Sequence, residues 1–139
     1  MTAPVALGWA TVDLDRARRQ LAPRLVQGSD FAAAPDSVLL GARCLVGELR
    51  QPADARWLVL LEPATEGRLA ATLARHGEGF AATWESDADA ADAGVAAPSG
   101  QRRRVSAARP GPFGPERLRL GDPNDGPHRL LLTPATIGP

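Results

Sequence analysis

The chain has 139 residues, enough for one domain with a buried core. Sixteen basic side chains balance sixteen acidic ones, and the single basic run, Arg102 to Arg104, reads as a solvated strand edge, so the electrostatic footprint of a nucleic-acid binder is missing. Every basic residue apart from two histidines is Arg, and Tyr is absent, which excludes a Schiff-base lysine, a lysine base and a tyrosine acid and leaves His76, His128, Cys44, the hydroxyls and the carboxylates for any catalysis.

Val5 to Val12 is a strand-forming apolar run, after which Asp13 to Ala22 switches to helical spacing with Asp13 as cap. Pro23, Gly28 and Pro35 break the chain before two short strands, Ser37 to Ala42 and Cys44 to Leu49, around a turn near Gly41. Arg56 to Glu62 forms a further strand that Pro63 ends. Residues 65–76 predict an amphipathic helix with Leu69 and Leu73 on one face, closed by Gly77. Phe80 to Ser86 is the next strand, Asp87 to Ala97 is compatible with a helix, and Arg102 to Ala108 is a strand. A Pro/Gly loop over 109–115 leads to the strands Glu116 to Leu120 and Arg129 to Thr133. One order of elements therefore occurs twice, and the short connections favour antiparallel hairpins over a parallel doubly wound sheet.

A lone Cys44 cannot form an internal disulfide, and the first fifteen residues lack the pattern of a signal peptide. The longest apolar run, Trp57 to Leu61, covers five residues, against the ~20 that span a bilayer. The expectation is a cytoplasmic protein with no membrane role.

ValAspLeuAspArgAla at 12–17, LeuLeuGluPro at 60–63 and LeuAlaArgHisGlyGluGly at 73–79 carry a resemblance to the vicinal oxygen chelate superfamily, which includes glyoxalase I, methylmalonyl-CoA epimerase, extradiol dioxygenases and bleomycin-resistance proteins. The last two motifs are most similar to the epimerase branch. This resemblance implies an α+β fold of two βαβββ modules, whose curved mixed sheets form a cup: module one over about 1–63, a linking helix over 65–76 and module two over about 79–139, all in one domain. It also implies a divalent ion in the metal-using members, held from four strand positions that fall here at Leu7, Val59, Ala82 and Leu130. All four are hydrocarbon and supply no lone pair, so no metal and no cofactor is expected. Strand alternation points Glu62 away from the face of Val59.

Alternation also groups Leu7, Trp9 and Thr11, then Trp57, Val59 and Leu61, then Phe80, Ala82 and Trp84, with Leu130, on one projected inner face. A Trp-lined hollow of that kind suits a hydrophobic or aromatic small molecule, while the same tryptophans could equally pack the cup as core. His76 suits a helix C-terminus, His128 an exposed or edge position after a turn, Cys44 a buried strand, and Glu78 a solvated turn. The leading expectation is a metal-independent, sequestering protein of the bleomycin-resistance type. Its rivals are a lyase or isomerase of the glyoxalase or epimerase type, using Glu78, Glu62 or a histidine, and a non-catalytic scaffold with a filled cup. A homodimer is implied by the resemblance only.

Overall fold

A computed structural model describes residues 5–50, 55–64, 66–86, 104–120 and 127–132. The first strand β1 (Ala6–Ala10) runs into helix α1 (Leu14–Leu21), where the Asp13 side chain accepts a hydrogen bond from the Arg16 amide at 3.1 Å. Asp15 in the first turn and Arg18 and Arg19 in the last complement the helix dipole, and Ala17 and Leu21, one turn apart, form the buried face. A single 3-10 turn (Ala22–Arg24) follows, then β2 (Ala32–Ser37), β3 (Ala42–Glu48) and β4 (Trp57–Pro63). Helix α2 (Arg68–His76) links to β5 (Gly79–Ser86), β6 (Arg104–Val105), β7 (Glu116–Leu120) and β8 (His128–Leu132).

All eight strands join in the order β2-β3-β4-β1-β5-β8-β7-β6. The first half contributes β1 beside its parallel partner β4, and the second half repeats this with β5 beside β8. The halves meet where β1 and β5 pair antiparallel. The fold is α+β with a curled mixed sheet, as the resemblance implied.

Two clusters occupy the two faces of the sheet. On one, α1 packs Ala17 and Leu21 against Leu58 and Leu60 of β4, with Leu7 and Trp9 alongside. On the other, Ala6, Ala10, Val59, Leu61, Ala82, Trp84, Leu118, Leu130 and Leu132 pack together, and α2 adds Leu69. Strand β4 is apolar on both faces because both are covered, which is why WLVLLEP reads as a continuous run rather than an alternating one.

The second cluster lies inside the curl. Ser37 of β2 and Glu116 of β7 are hydrogen-bonded at 2.7 Å, and the Val38 amide donates to the Pro110 carbonyl at 3.1 Å. These strands are six places apart in the sheet, which at ~4.8 Å per step would separate them by roughly 29 Å if the sheet were flat. The sheet must therefore close on itself around this cluster.

Several expected boundaries move. Sequence propensity places a strand over Ser37 to Ala42, whereas Val38 to Leu40 form a turn closed by the Gly41 amide on the Ser37 carbonyl at 2.9 Å, with Gly41 at φ +70. The strand itself is the Ala-rich 32–37, which tolerates Pro35 because it is an edge strand, irregular between Ala34 and Ser37. Helix α2 starts at Arg68 rather than at 65, after Gly67 at φ +137. The expected helix over 87–97 lies outside the described residues, as do 102–103 of the expected strand 102–108; of its described part, Arg104–Val105 is strand and 106–108 is not.

Gly8 sits opposite both Val59 and Ala82. A Cβ there would come within 2.8 Å of Trp84 Cζ3 and 2.9 Å of Leu61 Cδ1, so the bare backbone is what admits the indole. Gly8→Ala is expected to destabilise the fold by about 1–3 kcal/mol through overpacking, read as a lowered thermal midpoint with unchanged far-UV dichroism.

Candidate functional site

The interior of the curl is the candidate site, and register defines its rows. Ala6 stands opposite Trp57 and Trp84, and Trp84 opposite Leu130. In the next row Val59, Gly8, Ala82 and His128 follow one another across β4, β1, β5 and β8. Val59, Ala82 and Leu130 thus face inward as expected, at 0%, 1% and 0% exposure.

Leu7 does not. It packs with Trp9 on the α1 side, and Ala6, one residue earlier, takes the inward place. A one-residue shift exchanges the two faces of a strand, and the motif at 12–17, which lies beyond the strand, does not fix which face Leu7 takes. The replacement is again hydrocarbon. Ala6, Val59, Ala82 and Leu130 offer no oxygen, nitrogen or sulfur donor, and among the described residues no group of three His, Cys, Asp or Glu could hold a metal. The residues present do not fit the divalent ion of the metal-using members.

The three tryptophans also part company. Trp9 is on the α1 side with Phe80, in an edge-to-face pair with centroids 5.0 Å apart and planes at 83°. Phe80 turns to that side because the register of β1 against β5 shifts at Gly8 and Trp9, and it is 53% exposed. Trp57 is half-buried at the edge of the inner cluster beneath the Arg56 guanidinium, 4.9 Å from the ring centroid. Only Trp84 lies at the centre, and it is fully buried. Thr11, also expected inside, is buried at the end of β1, where its hydroxyl bonds the Asp13 backbone and the Glu78 carboxylate. The sequence-level picture of a Trp-lined hollow is not what these residues build: Leu61 and Val59 line the interior, but Trp84 fills it.

The charged group that sequence reading missed is Glu116. It is fully buried, accepting from Trp84 Nε1 at 2.8 Å and from Ser37 Oγ at 2.7 Å. The Ser37 oxygen in turn accepts from the Leu40 amide at 3.3 Å. Gly111 lies directly over the carboxylate, since a Cβ there would fall 2.0 Å from Oε1. Burial holds the Glu116 carboxyl above the ordinary carboxylate range, and the two hydrogen bonds oppose that only in part. Its signal was present in the alternation of Glu116 with Leu118, which share the inward face of β7.

The other reactive groups divide between the faces. Glu62 points away from the interior, accepting from Arg43 and from the Leu14 amide. Glu78 accepts from the Val12 amide at 3.1 Å, from Thr11 and from Arg16, and the first of these leads in holding its carboxyl below the usual range. Cys44 is buried, and desolvation pushes its thiol up to about 12, so it carries no thiolate. His76 ends α2 in an exposed position.

His128 differs from expectation. Rather than sitting exposed or on an edge, it is half-buried on the inner face, with Nε2 2.8 Å from Thr72 Oγ1 of α2. Burial first, and the nearby Arg68 second, lower its pKa. Thr72 has a single hydroxyl hydrogen and directs it to the Arg68 carbonyl at 3.1 Å, so Nε2 is the donor to Thr72 and Nδ1 carries the lone pair of the neutral ring.

No protein-family profile and no curated protein matches the chain. Solved structures do. Methylmalonyl-CoA epimerase in complex with methylmalonyl-CoA and ammonium is similar over 100% of this chain and 99% of that one, at 24% identity and a TM-score of 0.71. A variant of the Streptomyces coelicolor methylmalonyl-CoA epimerase bound to 2-nitronate-propionyl-CoA is similar over 96% and 97%, at 24% identity and 0.69. The Mycobacterium tuberculosis methylmalonyl-CoA epimerase is similar over 96% and 91%, at 23% identity and 0.68. The chain has the vicinal oxygen chelate fold. Among its described residues no helix is long and apolar enough to cross a membrane.

Trp84→Phe removes one of the two donors to Glu116 without emptying the interior. It is expected to cost about 1–3 kcal/mol, the penalty for leaving a buried acceptor short of a partner, measured by denaturant titration at pH 7 against the unaltered chain.

Proposed function

We propose that the chain is an isomerase of the epimerase type, acting on a small acyl thioester without a divalent ion, with His128 as the proton-transfer group. The observation that carries this reading is the whole-length likeness to epimerase complexes holding CoA esters, combined with a half-buried imidazole in the row of Val59 and Ala82. A neutral Nδ1 beside an apolar wall suits removal of a proton from the carbon next to a thioester carbonyl. The electron pair moves into the carbonyl; the imidazolium can return the proton to the face it left, and inversion follows when water instead protonates the opposite face of the enolate while His128 passes its proton to solvent. Glu116 is no partner in that step. It stands opposite Leu132, four residues along β8 from His128, or roughly 13 Å at ~3.3 Å per residue. Exposed Phe80 and Val12 give such a protomer an apolar face for pairing with a second copy.

Hydrogen exchange needs only one base and is therefore the more direct readout than inversion. In deuterated buffer, methylmalonyl-CoA is expected to lose its α-proton signal by NMR in the presence of the chelator-treated protein, and His128→Gln to slow this roughly a hundredfold. The rate should rise with pH through the lowered pKa of His128 and level off above it. Exchange that requires added divalent metal, or that persists in His128→Gln, overturns the reading.

A filled-cup scaffold is the second reading, favoured by the near-zero exposure of Leu40, Val59, Leu61, Trp84 and Leu130. It is the outcome if methylmalonyl-CoA neither exchanges nor raises the thermal midpoint.

A further inference from the structure

Around the barrel wall, each neighbouring pair of strands is joined by a ladder of backbone bonds except at one place. Between the ends of β2 and β7 the described residues make two hydrogen-bonded links, the Val38 amide on the Pro110 carbonyl and the Ser37 hydroxyl on the Glu116 carboxyl group. Both β7 contacts come from one unit, the loop 106–115 with the start of β7, stitched to itself by the mutual backbone bonds of Arg109 with Glu116 and of Gly111 with Gly114. Its hold on the interior is Glu116 itself, through Trp84, together with Phe113, whose ring meets Trp84 edge-on at 5.9 Å.

We propose that this β2–β7 seam is a door in the barrel wall, latched by Glu116 against Ser37 and Trp84, and that it loosens when Glu116 ionises. The interior has no other contact of this kind among the described residues: a wall joint made by side chains, with its acceptor drawn from a group that can change charge. The inference goes beyond the proposed reaction and does not rest on it.

The electrostatic surroundings fix the direction. From β2 comes Ser37, with Asp36 next to it on the exposed side; from β3 the Cys44 thiol, uncharged throughout; from β5 the Trp84 indole; and from the loop the backbone of Gly111 with exposed Arg109 two residues earlier. No cation figures among the groups that shift Glu116. Two neutral donors face a desolvated carboxylate, so the closed door favours the protonated acid. A group whose pKa is higher in the closed state than in the open one supports closure below its open-state value, and that support fades as pH rises toward the closed-state value. Acid latches the seam, and neutral pH loosens it.

Exchange of the Trp84 indole Nε1–H, followed by NMR on the nitrogen-15-labelled full chain between pH 4 and 8, reads the latch directly. Expressed relative to intrinsic exchange, its protection should fall with rising pH, by up to about tenfold per unit between the ordinary carboxylate range and the raised value. The amides of Leu58 and Leu60, on the α1 side, should keep theirs. In Glu116→Gln the indole protection should not vary with pH. In Ser37→Ala, which leaves the carboxyl in place, it should be lower at every pH with the slope retained, so a Gln variant that fails to fold does not decide the matter. Protection of the Trp84 indole that is flat with pH in the unaltered chain overturns the proposal. So does loss of protection at Leu58 and Leu60 in step with Trp84, which marks global unfolding rather than a door.

Discussion

A buried carboxyl group with two neutral donors closes this barrel. Glu116 takes hydrogen bonds from Ser37 of the first half and Trp84 of the second, and through them the two flanks of an eight-stranded sheet are brought from opposite ends of the strand order into contact. A buried carboxyl short of hydrogen bonds is costly, and one with partners on two different strands is directional. The bond therefore specifies how far the sheet curls, where a purely hydrocarbon seam would allow sliding.

Around that bond the interior is dry. Val59, Leu61, Ala82, Leu118, Leu130 and Leu132 meet across it with Trp84 between them, and the inward positions that could grip a cation carry none of the atoms needed. Glu116 and His128, both on this face, are held differently. Glu116 is sealed and leans toward its neutral acid; His128 is half-buried and leans toward its neutral base. Neither charge is welcome, and each is displaced in the direction that removes it. The ionised groups of the chain lie elsewhere, as in the Arg16 to Glu78 and Arg43 to Glu62 pairs that tie α1 and the strand ends to the outer side.

Much of this architecture could be read before any coordinates. Asp13 as cap, the helical spacing of Leu14 to Leu21 and the stops at Pro63 and Gly77 all depend on local chemistry, which sequence reports faithfully. Where the reading failed, tertiary context had intervened. The β2 strand is a poor strand former paired at an edge, and the better-looking Val38 to Leu40 is needed for the turn. Leu7 and Trp9 were assigned inward because alternation gives the period of a strand but not its phase, and one residue of misalignment inverts every side chain. Phe80 escaped the face of Ala82 through an irregularity in pairing that no periodicity reveals. Glu116 was the costliest omission: its place in β7 was readable, but its partners Ser37 and Trp84 lie 79 and 32 residues away, and only the closed sheet brings the three together.

Gly8 has a wider meaning in this setting. Its missing side chain leaves the hollow into which the indole of Trp84 reaches from the neighbouring strand, so a large ring stands next to Val59, Ala82 and Leu130, the strand positions from which the resemblance implies a metal would be held. A wet cradle for a cation and a dry aromatic plug are competing uses of one space. Restoring the first would require clearing the second, and with it one of the two donors on which closure relies.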